Sequence, residues 1–154
     1  MAKRRKHPQI TYQQFIFEIN DWVPNFSFGV DNSKYFEGLY SDHAELELST
    51  TCVFPVVRTG EATIIRLVGE RDIHNPEFLK SNSDWKPNGV GTLEMRGERR
   101  EFYGNLPYDA IWGLCTALAA QRLRYILLYG PSLKRGSTRT QSIDFQRDVN
   151  LDDY

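Results

Sequence analysis

The sequence predicts an α+β fold, mainly antiparallel β: a sandwich or strongly bent sheet of about eight or nine strands, with one packed amphipathic helix near the C-terminus. Three observations lead there. Apolar and polar residues alternate with period two in run after run, and turn-forming residues separate the runs. The aromatic content is high, with nine Phe, eight Tyr and three Trp, residue types that favour strands. Only one segment carries a helical period. A chain of 154 residues fits one domain and can bury about 70% of the surface that its unfolded form exposes. The expected organisation is a basic tail over 1–8, a globular domain over 9–149 and an acidic C-terminal tail over 150–154.

The first strand begins after Gln9. In QITYQQFIFEIN, Phe15, Phe17 and Ile19 point one way, and Gln14, Ile16, Glu18 and Asn20 the other. Trp22, Val23 and Pro24 close it, and NFSFGV forms a short second run. HAELELSTTCVF is the clearest strand, with Ala44, Leu46, Leu48, Thr50, Cys52 and Phe54 on one face. His43, Glu45, Glu47, Ser49 and Thr51 take the other, so one face is wet. Pro55 limits that strand, RTGE turns the chain, and ATIIRLVG returns as a denser strand. Residues 70–89 break the pattern. VGTLEM and RREFY then form two strands joined at Arg96-Gly97-Glu98.

The helix is expected over 107–121. Ile111, Leu114, Cys115, Leu118 and Ala119 recur at helical spacing, Asn105 is a candidate cap, and Pro107 and Asp109 suit the first turn. Gly113 weakens the helix, and close packing is the reason expected for it. RLRYILLYG and TRTQSIDFQ complete the strands.

The net charge of −1 conceals segregation. Residues 1–9 carry four Lys/Arg and residues 110–143 carry five, with no acid in either segment, whereas residues 10–109 carry nine bases and sixteen acids. Such segregation points to a surface for an anionic partner. The densest basic stretch is YGPSLKRGSTRTQ. It fails as a phosphate-binding P-loop, because five residues separate its glycines, Ser137 follows the second, and the helix precedes the loop. If 122–129 pairs with 138–146 as a hairpin, Lys134 and Arg135 sit at its tip, and Arg122, Arg124 and Arg139 lie along its arms. Tyrosines alongside could stack bases, and Ser137, Thr138 and Thr140 could hydrogen-bond phosphates. A solvated turn whose bases meet the acidic body of the same protein is the plainer account of these residues, since charge runs usually are solvated faces. The same holds for the tail Lys3-Arg4-Arg5-Lys6, which either extends the basic footprint or keeps the terminus soluble.

Other chemistry is thinly represented. Asp72, His74 and Glu77 form a D-x-H-x-x-E cluster of the kind that can hold a divalent metal, but no second cluster accompanies it, and no metal site is assigned. His43, Glu45 and Glu47 read as an acidic stripe on an exposed strand. Cys52 and Cys115 fall on apolar faces and read as core residues, not nucleophiles or disulfide partners. The crowded aromatics between Trp22 and Tyr40 read as core and interface.

The expected function is therefore a non-catalytic binding or adaptor module. It uses Arg122, Arg124, Lys134, Arg135 and Arg139, with the tail, against a protein or other anionic macromolecule. One alternative is a nucleic-acid-binding protein using the same surface. Another is an enzyme or small-ligand-binding protein with a site in the 70–89 loop. No cofactor is called for. A homo-oligomer through edge strands is compatible with the pattern. The short apolar stretches and the charged start followed by no apolar core predict a cytoplasmic protein that does not enter a membrane.

Overall fold

The computed structural model describes residues 9–31, 39–70 and 89–154. Its strands are β1 Tyr12–Asp31, β2 Leu39–Phe54, β3 Ala62–Glu70, β4 Gly91–Arg96, β5 Arg99–Pro107, β6 Tyr125–Pro131, β7 Ser137–Thr140 and β8 Ser142–Gln146. The single helix, α1, spans Tyr108–Ala119 between β5 and β6. All eight strands belong to one sheet, ordered β7-β4-β5-β3-β2-β1-β6-β8. Its pairings are antiparallel, apart from the parallel pair of β3 with β5. The predicted α+β fold is present, in its bent-sheet form.

The bend follows from connectivity. β7 and β8 lie at opposite edges of the sheet, yet only Gln141 separates them in the chain. The edges must therefore curl towards each other. They meet at the end of β6, where the Thr138 hydroxyl donates to the Pro131 carbonyl at 2.6 Å and Gln141 N donates to the Tyr129 carbonyl at 2.7 Å. A Cβ on Gly130 would lie only 2.7 Å from the Arg139 carbonyl oxygen, so this approach requires glycine. β6 and β7 form no ladder, and the sheet is not closed.

One face of the curl is the core. Phe15 and Phe17 on β1, Ala44, Leu46 and Leu48 on β2, Ile65 and Leu67 on β3, Leu93 on β4, Phe102 on β5, and Ile126 and Leu128 on β6 are all buried there. Period-two alternation aims every second side chain inward. Phe102 lies over the paired glycines Gly91 and Gly104, where added Cβ atoms would come within 2.4 and 2.6 Å of its ring. An aromatic ring thus fills the space that two facing glycines leave. Helix α1 joins the same core through Ile111 and Leu118. It comes close because the sheet is shallow beneath it, Gly69 lying against Tyr108, Ala44 and Ile111. Phe26 of β1 stacks on Trp112 of α1, with centroids 3.9 Å apart.

Several local expectations need correction. β1 does not stop at Pro24 but continues to Asp31, absorbing the predicted second run, with Pro24 paired to Leu46. β6 pairs with β1 only as far as Glu18, Ile19 N adds one bond to the Arg124 carbonyl at 2.8 Å, and beyond that the strand pairs with β2 alone. A strand with one open side tolerates a residue that lacks an N–H. Pro107, not Asn105, occupies the helix N-cap position and makes no side-chain cap, while Asn105 lies on β5 opposite Val68. Ala119 is exposed and is not part of the buried stripe. The C-terminal residues Leu151–Asp153 form a short 3-10 turn, in which the Asn150 side chain accepts from Asp152 N, and the ring of Tyr154 lies 6.1 Å from that of Phe54.

Gly113 does not serve close packing either. It is exposed, and a Cβ there would meet nothing within 4 Å. Replacing it removes the backbone entropy cost of glycine without crowding a neighbour. Gly113→Ala is expected to stabilise the protein by about 1 kcal/mol and to raise Tm by about 3 °C in a thermal melt.

Candidate anion-binding groove

Two tight turns lie side by side at one end of the curl. The β4–β5 hairpin turns through Gly97 and Glu98, with Gly97 at φ 56°. The second turn runs from Lys134 to Ser137, whose backbones exchange both hydrogen bonds, at 2.9 and 3.1 Å. Its central residues, Arg135 and Gly136, have φ of 54° and 83°, which identifies a type I′ turn. Met95 N donates to the Gly136 carbonyl at 2.7 Å, and a Cβ on Gly136 would lie 2.9 Å from Cβ of Arg96. The turns are thus held together, and Arg96, Lys134 and Arg135 are brought into one neighbourhood.

Next to these turns lies an open groove of about 530 Å³, lined by Ile10, Thr92, Pro131, Ser132, Lys134, Ser137, Thr138 and Arg139. The sequence folds this way because β7 does not continue along β6. It crosses to pair with β4, setting Arg139 opposite Thr92 and Ser137 opposite Glu94. Ser132 N donates to the Thr11 carbonyl at 2.8 Å, which brings the start of the described chain to the groove wall. Two cations and the hydroxyls of Ser132, Ser137 and Thr92 therefore share one depression. Such an arrangement combines charge with hydrogen-bond donors for phosphate or carboxylate oxygens. The Thr138 and Thr140 hydroxyls are already engaged, donating to the carbonyls of Pro131 and Gly91.

The electrostatics distinguish these cations from the others. Arg66 bridges Glu47 at 2.9 Å and Glu101 at 3.3 Å, Arg99 bridges Glu101 and Glu94, and Arg58 and Arg100 both meet Glu61. The carboxylates of the outer sheet face are largely matched in this way. Among the described residues, Arg96, Arg122, Lys134, Arg135 and Arg139 have no ion-pair partner, and all of them except Arg122 gather at the two turns and the groove. A local cationic field therefore survives on a chain whose net charge is −1.

The predicted basic set is only partly assembled. Residues 125–129 do pair with 142–146, but Arg139 lies on β7 against β4, not on a hairpin arm. Lys134 and Arg139 share the groove, and Arg135 sits at the neighbouring turn. Arg124 is committed elsewhere. Its guanidinium donates twice to Glu18 Oε1, at 2.9 and 2.7 Å, and these hydrogen bonds raise its already high pKa. Arg122 is exposed in the connection between α1 and β6 and does not line the groove. Arg96, Thr92, Ser132 and Ile10 escaped the sequence reading. Arg96 could have been found from the two-residue spacing of its hairpin, but only the β4–β7 pairing sets it beside Gly136.

The tail 3–6 and the cluster of Asp72, His74 and Glu77 fall outside the described residues. Among the described residues, no group of three His, Cys, Asp or Glu side chains could hold a metal ion, and no helix is long and apolar enough to cross a membrane. On the acidic stripe, His43 Nε2 lies 3.1 Å from Glu45 Oε2, and Glu47 is engaged by Arg66. Comparison with protein-family models, with curated proteins and with solved structures returned no match, and geometry alone carries the functional reading.

The thiols are poor nucleophiles. Burial pushes Cys52 up to about 11 from an ordinary 9.0, and burial also raises Cys115. At about pH 8, Cys52 is expected to alkylate about a hundredfold more slowly in the native protein than in the unfolded chain, as read by mass spectrometry. The linkage has a definite direction. The unfolded thiol loses its proton near 9 and the folded one near 11, so Cys52 lowers stability as pH rises through that window and has no such effect below it. A second expectation concerns the turn. A non-glycine residue at positive φ costs about 1 kcal/mol, and asparagine tolerates that conformation better than arginine. Arg135→Asn should leave stability unchanged or raise it by up to about 1 kcal/mol in urea melts.

Proposed function

We propose that this protein is a non-catalytic binding module that seats an anionic partner, a protein or other anionic macromolecule, in the groove between β7 and the 131–134 segment. The observation that carries this reading is the meeting of Lys134 and Arg139, neither in an ion pair, with the hydroxyls of Thr92, Ser132 and Ser137 in one groove. Arg96 and Arg135 on the adjoining turns widen the cationic field at the groove's end. In the type I′ turn a charged side chain occupies a backbone position that disfavours it, which supports a role for that charge outside the fold. The tail bases Lys3, Arg4, Arg5 and Lys6 precede Ile10 in the chain, and Ile10 lines the groove. They extend the same footprint in this reading. Arg122 lies away from the groove and Arg124 is neutralised by Glu18, so neither is part of the footprint in this reading.

The test is binding of a labelled polyanion followed by fluorescence anisotropy at about 50 and 200 mM salt, a range over which phosphate-dominated affinity changes strongly. Wild type is expected to bind at the lower salt and to weaken at least tenfold at the higher. The combined variant Lys134→Ala, Arg135→Ala, Arg139→Ala should lose most of the affinity and the salt slope. Arg124→Ala should retain both. No binding at low salt, or equal loss on changing Arg124, would remove the groove as the site.

A further inference from the structure

The groove does not end at its cations. Strand pairing sets Arg139 on β7 opposite Thr92 on β4, Thr92 opposite Tyr103 on β5, and Tyr103 beside Arg66 on β3. These residues form one row across the outer face, because their neighbours Leu93, Phe102 and Leu67 point into the core. Tyr103 is 53% exposed and lies two strands from Arg139, about 10 Å away at ordinary strand spacing. On the opposite flank, Pro131 in the groove wall is paired with Tyr12, whose ring stacks on Tyr129 with centroids 5.5 Å apart and planes 15° apart. Those rings are 42% and 39% exposed. The cationic groove is thus bordered on both sides by accessible aromatic rings.

Resting on the binding reading above, we infer that the partner is single-stranded nucleic acid, its phosphates held at Lys134 and Arg139 and a base stacked on Tyr103. Charge complementarity alone fits any polyanion. Exposed rings within one nucleotide's reach of the cations fit one whose charged backbone carries flat apolar groups. A duplex conceals its base faces, and an acidic peptide has no such group at each charge. Arg66 and Arg99, shared among Glu47, Glu94 and Glu101, offset most of the negative charge beside Tyr103, and the phosphates are placed at Lys134 and Arg139, away from those glutamates. Tyr103 supports stacking and not sequence readout, so little discrimination among bases is expected. The Tyr12–Tyr129 pair offers a second stacking surface at the other end of the strand's path.

The experiment uses the full chain and four labelled probes: a thymidine oligonucleotide of about twelve nucleotides, an abasic strand with the same number of phosphates, a duplex of the same length and polyglutamate. Wild type should bind the thymidine strand at least about fivefold more tightly than the abasic strand, the gain typical of one stacked base. Tyr103→Ala should abolish that preference while leaving abasic binding unchanged, and Tyr103→Phe should keep it. Lys134→Ala with Arg139→Ala should weaken both strands together. Tyr103 is exposed, so its variants are expected to fold, and circular dichroism checks this. Equal affinity for the abasic and thymidine strands, a preference for the duplex, or polyglutamate binding as tight as the thymidine strand would each overturn the inference. The binding reading would survive those outcomes if the lysine–arginine variant still lost affinity. Absence of binding to all four probes would overturn both.

Discussion

Gly130 lets the end of β6 lie against the backbone of β7, in a space that a single Cβ would occupy. Much else depends on that contact. It lets the chain leave β6, turn at Lys134–Ser137, cross to the far edge of the sheet as β7, and return after Gln141 as β8. Because consecutive strands sit at opposite edges, the sheet has to curl, and the curl creates one inner face large enough for a single core. Phe102, set over two glycines, and Gly69 beneath α1 solve the same packing problem: a strongly curved sheet needs places where it is thin.

The groove is a by-product of that crossing. β6 and β7 approach without forming a ladder, so their polar groups are satisfied by single bonds, such as Thr138 to Pro131, and a depression remains between them. Its chemistry follows from which side chains are left unmatched. Elsewhere on the outer face, arginines are shared between glutamates on adjacent strands. Pairs this exposed contribute little to stability, but they cancel the local field. Around the two turns Arg96, Lys134, Arg135 and Arg139 form no such pairs and outnumber the single turn carboxylate of Glu98, so the protein's small net negative charge coexists with a cationic end.

The fold was largely legible in the sequence, because alternation along HAELELSTTCVF and QITYQQFIFEIN reports burial directly and the helical stripe of Ile111 and Leu118 has no competing period. Extent was less legible. Pro24 reads as a strand end only if both sides of the strand need donors, and sequence does not show that residues 20–31 have a partner on one side alone. Helix caps failed for a related reason: Asn105 has the right chemistry, but β5 runs on to Pro107 and claims it for the sheet. Of the site, the composition of residues 110–143 disclosed Lys134, Arg135 and Arg139. It could not show that Glu18 occupies Arg124, nor that Arg96 and Tyr103, from an acid-rich part of the chain, would stand beside the groove. Those relations depend on the β4–β7 and β1–β6 pairings, which are long-range.

That separation also governs how the molecule is made. Glu18 and Arg124, which meet across the β1–β6 pair, are 106 positions apart in the chain. Until β6 and β8 have been synthesised, β1 has only β2 beside it, and the apolar side chains of Phe15 and Phe17 lack their cover from Ile126 and Leu128. Loop-closure entropy is spent before such contacts are rewarded, so folding with this topology is slow, and a nascent chain holding only β1–β5 exposes a long unpaired edge. Proline within that edge lacks one of the donors that a foreign strand would bond. Pro24 lies where that side of β1 stays open in the finished sheet as well, so it guards the edge against foreign strands in the nascent and the folded chain alike.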